Sequence, residues 1–114
     1  MRDTRWQLAQ VGFEGGTLWV PDAALEPGQP VRVRVLARDV SVALALPEGS
    51  SIQNVLPCTV RAIVPGVHGS QALVQLACGE TLLLARITAR AVDALGLAPG
   101  SAVWAQVKSA ALVT

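Results

Sequence analysis

Ser50, Ser51 and Asn54 lie close together in this sequence. They follow the turn Pro47-Glu48-Gly49 and precede an apolar strand pattern at Val60, Ala62 and Val64. Two hydroxyls, a carboxamide and the free backbone N–H groups of a loop supply hydrogen-bond donors without formal charge. That chemistry suits a small oxyanion, whose oxygens only accept. It does not suit catalysis. The sequence has one histidine, His68, placed in the turn Pro65–Gly69, and shows no carboxylate pair set for acid–base work. No GxxxxGK[ST] loop is present, so these residues cannot hydrolyse ATP.

The rest of the chain has to hold that stretch in place. At 114 residues it can form one compact domain or two very small modules sharing a core. Hydrophobic residues make up 52% and charged residues 15%, which excludes disorder. No apolar run reaches the roughly 20 residues of a membrane-spanning helix, and no signal peptide is visible. A net charge of +1 gives no footing for nucleic acid. An oligonucleotide-binding barrel is further disfavoured by the lack of Tyr and the single Phe.

Alternation and turn residues predict a β-rich order. Trp6–Leu8 and Val11–Phe13 read as one strand whose alternation slips at Ala9-Gln10, as at a bulge. Thr17–Val20 is its return strand. Val31–Val35 alternates valine with Arg32 and Arg34, a solvated basic face, and Val40–Leu46 alternates again. Val55–Val64 is a long strand whose Pro57 marks an edge or a bend. Ser70–Cys78 and Thr81–Ile87 form a hairpin. Thr88 N-caps a short helix, Ala89–Leu95, which Gly96 ends. Ala102–Val107 and Ala110–Val113 complete the strands. Trp6, Trp19 and Trp104 recur in strands and are expected to anchor a core or an interface.

Leu25-Glu26-Pro27-Gly28 with Val31 and Val35 reappears as Leu97-Ala98-Pro99-Gly100 with Val103 and Val107, at a constant offset of 72 (97 − 25). The first copy has no counterpart of Ser51–Val64. Either the chain is a piece of a longer protein, or its first module borrows a strand. At the offset, Leu36-Ala37 stands where the second copy has Lys108-Ser109, so the first half should form no equivalent site unless Arg38 substitutes.

Ser51, Asn54 and Leu56, followed by a strand, resemble the signature that opens a molbindin-type domain, a small β-barrel that binds molybdate and tungstate. Lys108-Ser109 resembles the family's second signature. Arg38–Leu44 followed by Ser50–Val60 is similar to the C-terminal regulatory (TOBE, or molbindin-like) region of the ATPase subunit of a molybdate-import ABC transporter. The likeness extends over nearly the whole chain and is strongest over Val31–Thr114. One departure is Gln53, where the family often carries Arg.

The resemblance implies an all-β fold: tandem OB-like (molbindin-type) modules, the first incomplete (residues 1–48) and the second a barrel (residues 49–114), with one short helix. It implies an oxyanion site built from Ser50, Ser51, Asn54, Lys108 and Ser109, with molybdate or tungstate as ligand and no cofactor. It implies self-association, contact with an ABC ATPase domain and a membrane permease, and a cytoplasmic position at the inner membrane. The alternatives are a dimerisation module with a degenerate pocket, or a free-standing molybdate-binding protein. In the cytoplasm, Cys58 and Cys78 should be buried, reduced thiols rather than a disulfide.

Overall fold

The computed structural model describes residues 2–22 and 26–113. Its strands are β1 (Arg2–Asp3), β2 (Leu8–Phe13), β3 (Gly16–Pro21), β4 (Arg32–Arg34), β5 (Val40–Ala43), β6 (Asn54–Pro65), β7 (Gln71–Cys78), β8 (Thr81–Thr88), β9 (Ala102–Val107) and β10 (Ala111–Val113). One helix, α1 (Ala89–Leu95), and a 3-10 turn at Ala37–Asp39 complete the elements. All strand pairs are antiparallel. They form a three-stranded sheet β1-β2-β3, a pair β10-β4, and a five-stranded sheet in the order β5-β9-β6-β7-β8. The large sheet curls into a half-barrel, with β8 approaching β5 and the 3-10 turn.

The core follows the period-two pattern. Leu56, Cys58 and Val60 of β6, Val74, Leu76 and Cys78 of β7, and Val103, Ala105 and Val107 of β9 point inward and are buried. Leu18 and Val20 of β3 join them from the small sheet. A register shift between Val60 and Ala62 bends β6, as a bulge does. Pro57 stands opposite Trp104 of β9, in the part of β6 that has not yet reached β7; that pairing starts at Thr59. The missing N–H therefore falls where the strand is locally an edge.

Thr88 Oγ1 accepts from the Ala91 N–H at 3.0 Å and starts α1. Gly96, at φ 62°, closes it by donating to the Asp93 carbonyl. Val92 and Leu95 pack α1 onto the core.

The internal repeat is visible in hydrogen bonds. Gln29 N–H donates to the Glu26 carbonyl and Gln29 Oε1 accepts from the Glu26 N–H, both at 3.0 Å. Ser101 N–H donates to the Ala98 carbonyl at 2.9 Å, and Ser101 Oγ accepts from the Ala98 N–H at 3.1 Å. The two turns share the 72-residue offset (98 − 26), and both place glycine at positive φ, Gly28 at 80° and Gly100 at 97°. Leu25, the first residue of that repeat, lies outside the described residues.

Several expectations are corrected. β2 begins at Leu8 and pairs with β3 without a break, so there is no slip at Ala9-Gln10. Trp6 lies in the preceding turn, 63% exposed, with the Arg5 guanidinium 4.8 Å from its ring, and anchors no core. Trp19 and Trp104 are half-buried. β5 stops at Ala43, leaving Leu44 and Leu46 exposed. Most consequential, Cys58 and Cys78 form a disulfide. Thr59 pairs with Ala77, so the cysteines face each other one step along, with Cα atoms 4.6 Å apart. That spacing is typical of a non-hydrogen-bonded antiparallel pair, which brings facing side chains close enough to bond. Composition and compartment arguments did not register this facing geometry.

The β2–β3 turn rests on the β7–β8 turn. A Cβ added to Gly15 would land on the Cys78 carbonyl and on the Phe13 ring, whereas one added to Gly12 would meet nothing within 4 Å. Gly15→Ala should therefore destabilise the fold by about 1–3 kcal/mol, the usual cost of overpacking. Denaturant midpoints of the two variants check this: equal losses for Gly15→Ala and Gly12→Ala would refute the close approach.

Candidate oxyanion site

The two candidate segments meet at one end of the five-stranded sheet. Asn54 opens β6 and pairs with Val107, the last residue of β9. Lys108 and Ser109 follow directly on one side, and Ser50–Gln53 precede directly on the other. Val40 of β5 pairs with Val107 on its far side, and the Lys108 N–H donates to the Asp39 carbonyl at 2.7 Å. Arg38-Asp39 thus adjoins the same end.

Ser50, Ser51, Gln53, Lys108 and Ser109 are exposed. Ser50 Oγ accepts from the Ile52 N–H at 3.1 Å, which shapes the loop entering β6. Its hydroxyl hydrogen remains available to an acceptor. The Lys108 ammonium contributes a full charge. At ~4 Å and an effective dielectric near 20, such a charge is worth ~4 kcal/mol per unit of anion charge before desolvation. Gln53 contributes no charge.

Asn54 differs from the rest. Its Oδ1 accepts from the Trp19 N–H at 2.7 Å, and its Nδ2 donates to the Trp19 carbonyl at 2.9 Å. Both ends of the carboxamide are thus engaged by the backbone of β3, leaving one amide N–H for any ligand. Trp19 is the partner that sequence reading missed. Nothing in residue spacing signals a contact across 35 positions. Arg32 and Arg34 lie exposed on β4, at the pairing with β10. A groove of 510 Å³ lined by Arg2, Gln10, Glu26 and Gln29 among others includes none of the candidate residues. Among the described residues, no three of His, Cys, Asp and Glu gather to hold a metal ion, and no helix is long and apolar enough to cross a membrane.

A curled antiparallel half-barrel with one short helix defines a small OB-like β domain. Residues 50–113 match the TOBE domain model, and the chain belongs to that family. It is 48% identical over 112 residues to the molybdenum import ATP-binding protein ModC of Methylococcus capsulatus, covering 98% of this chain and 32% of that protein. It is 47% identical to ModC of Thiobacillus denitrificans, over 98% of this chain and 31% of the relative. The chain spans about a third of the length of the curated relatives it matches. Among solved structures, the cytoplasmic molybdate-binding protein ModG with molybdate bound superposes with a TM-score of 0.62 at 30% identity, over 71% of this chain and 57% of that one.

Proposed function

We propose that this domain binds a tetrahedral dianion, molybdate or tungstate, and regulates the ATPase subunit of a molybdate-import ABC transporter. The observation that carries the reading is the Asn54–Val107 pairing, which draws the segments Ser50–Asn54 and Lys108-Ser109 to one end of the sheet. Similarity to ModC and to ModG supports the ligand class and the transporter setting. Ser50, Ser51 and Ser109 supply hydroxyl donors, Lys108 supplies charge, and Asn54 takes part through its remaining N–H or by holding the loop. Gln53 brings no charge of its own, so Lys108 carries the positive charge of the set. The anion would act by binding one arrangement of two subunits more tightly than another, since differential affinity alone shifts such an equilibrium. Calorimetric titration with molybdate, with sulfate as control, tests the reading. Equal heats for the two anions would favour a degenerate pocket and a purely structural domain.

The division into modules 1–48 and 49–114 is proposed as a division of sequence repeats. The sheets cross it, since β4 pairs with β10 and β5 with β9. That pairing also covers one backbone edge each of β4 and β5. Support for self-association comes instead from the outer face of the half-barrel, where Leu82 and Leu84 of β8 and Val64 of β6 are exposed. An apolar face of this kind marks a contact surface. A homodimer or closed oligomer is expected at tens of micromolar (roughly the range in which standard-size interfaces persist). Light scattering that finds only monomer would refute it.

A cytoplasmic position beneath the inner membrane, beside an ATPase domain and a permease, belongs to the same proposal. Disulfides are uncommon in that compartment. Here both cysteines are in the core, 6% and 0% exposed, which shields the bond from soluble thiols.

A further inference from the structure

β3 is an edge strand of the three-stranded sheet. At Trp19 that edge is covered by the side chain of Asn54, which presents one acceptor and one donor as a neighbouring peptide would. Asn54 is also the first residue of β6 and pairs with Val107, one residue before Lys108. The same residue therefore joins two places: the edge of the N-terminal hairpin β2–β3, and the sheet end where the candidate anion residues gather.

The hairpin has other ties as well, since β3 packs beside β6 and β10. Its far tip rests on the β7–β8 turn through Gly15, and Leu18 and Val20 enter the common core. Neither contact reaches the loop Ser50–Gln53. Breaking the two bonds to Asn54 would open the edge of β3 at Trp19, while the start of β6 would keep its pairing with β9.

From this geometry we infer that Asn54 is a positioning residue that couples anion binding at the sheet end to docking of the hairpin β2–β3. The inference rests on the proposed oxyanion function. An anion held by the Ser50–Gln53 loop and Lys108 fixes the first residues of β6. Fixing the Asn54 backbone holds its carboxamide on Trp19. By linkage, a docked hairpin raises anion affinity by the same factor that bound anion favours docking.

The test uses amide hydrogen exchange followed by NMR, with sodium molybdate as probe. In the wild type, molybdate should slow exchange of the Trp19 N–H by about tenfold, within the usual span of coupling factors. Amides of β8, at the other edge of the five-stranded sheet, should change much less. Asn54→Ala should weaken molybdate binding about tenfold by calorimetry. At saturating molybdate, its Trp19 exchange should no longer respond. A residue that only ligated the anion would weaken binding when replaced, but would leave wild-type Trp19 exchange indifferent to molybdate. A residue that only stabilised the fold would lower the melting temperature without altering the dissociation constant. Either result overturns the coupling and leaves the oxyanion function standing. A wild type that binds no molybdate overturns both. The wild-type exchange measurement needs no variant, so poor folding of Asn54→Ala does not blunt the test.

Discussion

A phosphine reductant strong enough to open the Cys58–Cys78 bond should lower the melting temperature on the order of 10 °C. The bond closes a loop of 20 positions. In the chain-entropy account, a loop of that length restrains the unfolded chain by about 3 kcal/mol. For a domain of this size, each kcal/mol moves the midpoint by about 4 °C. Burial of both cysteines also means that opening should be slow at low temperature and fast near the transition. The double variant Cys58→Ala/Cys78→Ala should melt lower than the oxidised wild type and ignore reductant. Two thiols titrated in unreduced, denatured protein, with no shift on adding reductant, would return the pair to the reduced state that composition suggested.

The second large effect concerns Lys108. Ligand that binds only the folded form stabilises it by ~2.7 kcal/mol at a hundredfold excess over the dissociation constant. Molybdate should therefore raise the melting temperature by on the order of 10 °C, and sulfate at equal ionic strength should raise it much less. Lys108→Ala should abolish most of that gain, because it removes the full positive charge from the set Ser50, Ser51, Asn54, Lys108 and Ser109. Arg32→Ala should leave it intact. Arg32 is exposed on β4, at the pairing with β10, and outside both segments. An unchanged shift in Lys108→Ala would move the anion elsewhere on the surface. A wild type indifferent to the choice of anion would leave the domain a structural one.

Much of this architecture was legible because local chemistry decides it. The cap at Thr88, the left-handed Gly96 and the hairpin around Gly79-Glu80 follow from residue type and short-range geometry, and all three are present. The repeat at Pro27-Gly28 and Pro99-Gly100 was readable for the same reason. What was hidden depends on neighbours distant in sequence. Trp6 fits a strand until β2 is seen to pair from Leu8. Leu44 and Leu46 continue an alternation that leaves the sheet, because the pairing of β5 with β9 ends at Ala43 and Trp104 although β9 itself begins at Ala102. The disulfide needed the β6–β7 register. At the candidate site, residue types pointed to donors, but the use of Asn54 by Trp19 is a tertiary fact.

The pairing of β5 with β9 has a consequence for synthesis on the ribosome. Val40 meets Val107, 67 positions later (107 − 40), and Arg34 waits for Ala111. At about 5–20 residues per second, β5 is made roughly 3 to 13 s before its partner exists. During that interval β4 and β5 have no sheet to join, and their backbone edges stand open. The hairpin β7–β8 and its pairing with β6 can form earlier, from contacts close in sequence. The two strands of the first half then dock last, onto β9 and β10, which are made after the other strands of the sheet.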